Sequence, residues 1–161
     1  MKKLLLLFLV LFIQTIFAQN IEEIEKEVHT NNKRQKFEAS ISLITEHLDN
    51  TEINSYDVYK LYILKSHTYK SLFNYDKTLE NLDIALKEGL KSNKKEEVIA
   101  NVKAEKAFAY FDIQKYKEAA TLMEELKNSN YNYLELETTA YIIMQDGYLD
   151  FLNKNYSSSE V

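Results

Sequence analysis

The sequence repeats itself at an interval near 40 residues, and that repeat restricts the fold more than any other feature. Three segments place a small residue three positions after an aromatic: Phe73-Asn74-Tyr75-Asp76-Lys77-Thr78, Gln114-Lys115-Tyr116-Lys117-Glu118-Ala119 and Lys154-Asn155-Tyr156-Ser157-Ser158-Ser159. The aromatics stand 41 and then 40 residues apart, and nine residues before each lies another small residue, Ser66, Ala107 and Gly147. Phe37 and Ser40 form a fainter copy, 38 residues ahead of Tyr75. Such a pattern predicts helical hairpins. Small residues let two helices approach closely, and the aromatic at the turn fills the wedge between one pair and the next. Ser66, Ala107 and Gly147 are expected to face Thr78, Ala119 and Ser159 across that contact. A single hairpin cannot bury its apolar face, so the pairs are expected to stack.

Within the repeats, apolar residues recur at three- and four-residue steps, as in Leu79, Leu82, Leu86 and Leu90 or Ala119, Leu122, Met123 and Leu126. The 161 residues contain no proline and two glycines, so little interrupts a helical backbone. The expected helices are 21–33, 36–49, 56–73, 76–90, 94–113, 117–128 and 132–152, with another beginning near Tyr156. Asn93, followed three residues later by Glu96, is expected to cap the fifth. Short connections make successive helices antiparallel. The fold class is therefore all-α.

Met1-Lys2-Lys3, an apolar run from Leu4 to Phe17 and then Ala18-Gln19 have the form of a secretory signal peptide, cut after Ala18. The run is shorter than the ~20 residues that span a bilayer. Residues 1–18 are thus read as a leader and residues 19–161 as one exported domain, with no membrane span in the mature segment. Cleavage removes Lys2 and Lys3 and no acid, taking the formal charge from −5 to −7. An acidic domain lacks the basic stripe that nucleic acid requires, so no nucleic acid is expected as partner. Cysteine is absent, which excludes a disulfide framework and a lipidated anchor. His29, His47 and His67 lack neighbouring ligands, so no metal site is expected. Gly89 and Gly147 form no phosphate-binding loop, so no nucleotide cofactor is expected either. Nor can catalytic residues be assembled. Glu22, Glu23, Glu25 and Glu27 read as a solvated face, and Ser66 and His67 are consecutive on a helix and point apart. The chain is read as no enzyme, with no cofactor.

Tyr62, Ser66, Tyr69, Tyr75, Thr78, Leu82 and Ala85, then Ala107, Tyr110, Tyr116, Ala119, Met123 and Leu126, and last Gly147 and Tyr156, give residues 21–161 a pattern that resembles the tetratricopeptide repeat (TPR) family. The resemblance implies an α-α superhelix of about three and a half hairpin pairs. It departs from the family in lacking Trp in the first helices and Pro between repeats, and in a period near 40 where the family has 34. With a leader ending Phe-Ala-Gln-Asn, the long Tyr- and Asn-rich repeats look similar to the extracytoplasmic regions of membrane-bound regulators of Bacteroidetes-type bacteria. The sequence stops just after the last repeat's second helix should start, so a longer protein is expected.

In this family the first helices of each pair line a concave face. The resemblance therefore places Ile63, His67, Lys70, Ala104, Phe108, Phe111, Met144, Tyr148 and Phe151 along a binding groove. The family's chaperone-tail binders carry Lys and Asn where this chain has Ile63, Ala104 and Met144, and His67, Phe108 and Tyr148, so a carboxylate clamp is not implied. Phe108 and Phe111, with Tyr148 and Phe151 one unit later, are expected to form an aromatic floor suited to a helix or an apolar peptide. The implied function is a protein- or peptide-binding scaffold of the bacterial envelope, facing the periplasm or tethered there, as the sensory half of a longer signalling or transcription-regulatory protein. A free-standing periplasmic adaptor for envelope assembly and a carrier of small apolar ligands remain open alternatives.

Overall fold

The computed structural model describes residues 21–49, 53–129 and 131–156. The expected leader and Ser159 lie outside these residues. Seven helices are packed together in a helical-repeat-like, all-α arrangement: α1 (Ile21–Lys33), α2 (Phe37–Leu48), α3 (Ser55–Ser71), α4 (Tyr75–Gly89), α5 (Lys95–Asp112), α6 (Tyr116–Ser129) and α7 (Leu136–Tyr156). A single 3-10 turn, Tyr131–Tyr133, precedes α7. No strand occurs among the described residues. Each helix packs on the next, and the odd-numbered helices also touch one another, α1 with α3 and α3 with α5.

The turns inside the first three hairpins are copies of one another in backbone geometry. Gln35, Phe73 and Gln114 all adopt a left-handed conformation, with φ of 58°, 56° and 61°. In each, the N–H of the left-handed residue donates to the carbonyl three residues back and the following N–H reaches five back: Gln35 to Asn32 and Lys36 to Asn31, Phe73 to Lys70 and Asn74 to Tyr69, Gln114 to Phe111 and Lys115 to Tyr110. This double bond pattern satisfies the last carbonyls of the preceding helix. The next helix then starts with Ser40, Thr78 and Ala119 donating to the carbonyls of Lys36, Asn74 and Lys115. These are the small residues of the repeat. All three are buried, as are Ser66 and Ala107.

The last copy behaves differently. Helix α7 continues through Lys154-Asn155-Tyr156, where the sequence predicts a turn. Gly147, expected at a close contact, is exposed, and a Cβ built there meets nothing within 4 Å. Two further expectations need correction. Asn93 is not the cap of α5: that position belongs to Lys94, whose N–H is instead taken by Ser92 Oγ at 3.2 Å. The seventh helix begins at Leu136 and not at 132, because Tyr131–Tyr133 wind into the tighter 3-10 turn. Side-chain caps are present at Asn54, which accepts from the N–H groups of Tyr56 and Asp57, and at Asn74, which accepts from Lys77.

Apolar burial is divided into three clusters along the stack. Ile24, Val28, Ile44, Leu61 and Leu64 join α1, α2 and α3. Tyr59, Leu82, Ala85, Val98 and Val102 join α3, α4 and α5. Ala104, Phe108, Met123, Leu126, Ile142 and Leu149 belong to the third, which joins α5, α6 and α7. Each cluster is shared by one hairpin and the helix that follows it, as in a one-dimensional stack. In the middle cluster Gly89 lets α4 lie against its neighbours: an added Cβ would sit 2.6 Å from a Val98 methyl and 3.1 Å from Tyr59 Cβ. A partly buried polar chain closes the first joint. Ser40 Oγ donates to Asn32 Oδ1 at 2.8 Å, Asn32 Nδ2 donates to Thr68 Oγ1 at 3.1 Å, and Thr68 Oγ1 donates to the Leu64 carbonyl at 3.0 Å.

Candidate functional site

The seam between α3 and α5 is stitched by polar pairs. At its start the Tyr56 hydroxyl donates to the Glu97 carboxylate, and Lys94 Nζ sits 4.2 Å from the centroid of the Tyr56 ring. Burial first, and then the Glu97 carboxylate, push the Tyr56 phenol well above its ordinary pKa. In the last turn or so of α3, His67 Nε2 lies 3.0 Å from Glu105 Oε2, and Lys70 Nζ lies 3.1 Å from Asp112 Oδ2. In every pair the donor stands on α3 and the acid on α5. The partners are separated by roughly one repeat in sequence, as expected of equivalent helices lying side by side.

Above the second and third pairs opens a cavity of about 670 Å³, lined by His67, Lys70, Ser71, Phe73, Tyr75, Glu105, Phe108, Asp112 and Tyr141. Its floor is aromatic. Phe108 meets Tyr141 of α7 edge to face at 4.8 Å between centroids, and Lys70 Nζ lies 5.7 Å from the Phe108 centroid. Beyond it Phe111 contacts Tyr116 at 5.5 Å and Tyr148 at 5.8 Å, extending the ring surface from α5 onto α7. At the rim stands Phe73, 80% exposed and held in the left-handed turn conformation.

Burial pulls the His67 imidazole toward neutrality, but the charge and hydrogen bond of Glu105 outweigh it, so its pKa is raised from the ordinary 6.5. The reciprocal holds for Glu105: burial favours the neutral acid, His67 opposes that more strongly, and the pKa falls below 4.5. The two walls of the cavity thus carry opposite charge and neutralise each other. What they leave to a ligand is ring surface bordered by hydrogen-bonding groups.

Of the nine groove residues expected from sequence, the structure brings His67, Lys70 and Phe108 to this cavity and sets Phe111 and Tyr148 beside it. Phe108 is only 7% exposed, so it forms a wall rather than a protruding contact. Ala104 is buried, and Ile63 packs partly against the middle core cluster. Met144 and Phe151 are exposed, and neither lines the cavity. Sequence reasoning missed Phe73, Tyr75, Glu105, Asp112 and Tyr141. Phe73 carried a readable signal: its turn position is glutamine in the other two copies, Gln35 and Gln114. Glu105 and Asp112 flank Phe108 at helical spacing, which places all three on one face of α5.

Among the described residues there is no group of three side chains suited to hold a metal ion. No described helix is long and apolar enough to cross a membrane. Comparison with protein-family models, curated proteins and solved structures gives no match to this chain.

Proposed function

We propose that this protein is a non-enzymatic, TPR-like scaffold, exported from the cytoplasm, that takes a segment of another polypeptide into the cavity between α3, α5 and α7. The observation that carries the reading is Phe73. A large aromatic ring stands 80% exposed at the cavity rim, in a backbone conformation that costs a non-glycine residue about 1 kcal/mol or more, and the fold recovers nothing from its side chain. Exposed aromatics beside an apolar pocket are the usual anchors of protein interfaces. The open, elongated shape of the ring surface, from Phe73 past Phe108 and Tyr141 to Phe111 and Tyr148, suits a peptide or helix better than a small enclosed ligand. The mutual pairing of His67 with Glu105 and of Lys70 with Asp112 leaves these groups to orient a ligand and not to attack one. By its resemblance to envelope regulators, the scaffold is assigned the interaction half of a signalling protein.

Selection from a random dodecapeptide library against the purified protein tests this reading. Enriched peptides should share an aromatic or aliphatic residue, and Phe73→Ala should weaken their binding by at least about tenfold while leaving melting unchanged. A selection that enriches nothing over a heat-denatured control counts against it.

A further inference from the structure

Helix α7 is apolar on more than one side. Its buried face carries Ile142 and Leu149, and Tyr141 and Tyr148 lean on the rings of α5. At about 100° per residue, a third stripe points away from both of these faces: Leu136, Ala140, Ile143, Met144, Gly147 and Phe151. All six are exposed, and the four large ones show between 57% and 86% of their surface. A contiguous exposed apolar stripe of this size marks an interaction surface.

The stripe also says what covers it. Ala140, Met144, Gly147 and Phe151 follow the alternating four- and three-residue spacing of a helix-pairing seam, with the small residues seven apart and the large ones seven apart. An antiparallel pair of identical helices sets small positions of one copy level with large positions of the other when the two-fold axis lies midway between them. With the two-fold axis between residues 145 and 146, Met144 lies level with Gly147 of the second copy and Phe151 with its Ala140. Each knob therefore meets a hole, and the contact is self-complementary, as a two-fold interface must be. Gly147 is an open hole in its own chain, since a Cβ there meets nothing within 4 Å. With roughly 100 Å² exposed on each large side chain, pairing would bury on the order of 1,000 Å² in total, the lower bound for a specific interface.

We propose that the protein self-associates through α7, as an antiparallel dimer in which the Gly147 notch receives Met144 of the second copy. The interface uses the outer stripe of α7, whereas the cavity is lined by that helix's Tyr141, and association is read without any peptide, so the proposal does not rest on the peptide-binding reading.

Sedimentation equilibrium on the protein as purified from the compartment where it accumulates tests this, over about 1–200 µM. The parent should pass from monomer to dimer with a midpoint on the order of 10 µM. Gly147→Leu fills the hole and should move the midpoint up at least tenfold without lowering the melting temperature. The double variant Met144→Ala with Gly147→Leu exchanges knob and hole, and should restore association. A parent that stays monomeric throughout overturns the proposal, as does a dimer that Gly147→Leu leaves unchanged or one that the exchange fails to rescue.

Discussion

The first and last described helices each turn one side to solvent and use it in opposite ways. Helix α1 buries Ile24 and Val28 and exposes Glu22, Glu23, Lys26, Glu27, Thr30 and Lys33. Helix α7 buries Ile142 and Leu149 and exposes Leu136, Ile143, Met144 and Phe151. A stacked repeat stays soluble where its outer face is polar, so α1 has the chemistry of a closed end. The other end has the chemistry of a joint. The same fold thus carries two kinds of surface whose difference is written in side chains and not in backbone, and substitutions can separate them.

The largest effect belongs to a packed joint. Ala119→Glu would bury an unpaired charge in the α5–α6–α7 cluster, at an expected cost of ~3–5 kcal/mol. Urea unfolding followed by circular dichroism measures it. Ala107 and Gly147 occupy the same repeat position, one buried and one open. Ala107→Leu should cost ~1–3 kcal/mol by overpacking, whereas Gly147→Leu should leave stability unchanged or raise it by up to ~1 kcal/mol through helix propensity. Equal losses at the two sites would remove the contrast between a filled joint and an open one.

Helix α7 has a second weakness on its inner side. Gln145 is 2% exposed, and neither its amide nitrogen nor its oxygen has a hydrogen-bond partner. Gln145→Leu keeps the volume and removes two unsatisfied groups, so it should stabilise the protein by ~1–3 kcal/mol in the same unfolding measurement. A loss of stability would show that the amide is satisfied in solution.

At the α3–α5 seam the effect is smaller and depends on pH. The raised His67 pKa means that its contribution is complete below pH 6.5 and is lost as pH rises through the folded value. The lowered Glu105 pKa means that its contribution is complete above pH 4.5 and is lost as pH falls through its folded value. Both are therefore present together between pH 4.5 and 6.5. The His67 side chain is 37% exposed, so the pair is worth under ~1 kcal/mol. Melting temperature against pH should fall on the alkaline side of this window, and His67→Gln should flatten that fall.

Smallest of all are the turns. Gln35→Gly and Gln114→Gly relieve a left-handed backbone and should each add about 0.5 kcal/mol. Thermal melting of the two single variants should place both above the parent.

These features differ in how far the sequence discloses them. The first six helices fall within two residues of their expected bounds, because apolar spacing at three and four residues has no competing interpretation in a chain with no proline and two glycines. The small residues Ser40, Ser66, Thr78, Ala107 and Ala119 are buried as their phase requires. Gly147 shares that phase and is not buried, because no described helix lies over that side of α7. Caps were misread for a local reason. Asn93 and Glu96 have the right spacing, but the helix starts one residue later than that pair requires, with Lys94 in the cap position, while Asn54 and Asn74 cap without a glutamate three residues on. In the cavity, His67, Lys70 and Phe108 were accessible from their common face. Glu105, Asp112 and Tyr141 were not, since their role depends on which side chain of a neighbouring helix stands opposite.

The polar chain from Ser40 through Asn32 to Thr68 ties three helices of the first joint together at once. Apolar surfaces tolerate sliding: two helices displaced by one turn, about 5.4 Å, can still bury much the same area. Hydrogen bonds between fixed donors and acceptors do not survive such a slip. Asn32 can reach both the serine of α2 and the threonine of α3 at only one setting of the three helices, and at any other Ser40 and Thr68 would lose their half-buried amide partner. The triad therefore acts as a key cut for a single position. It holds α1, α2 and α3 in one register at the start of the described repeats.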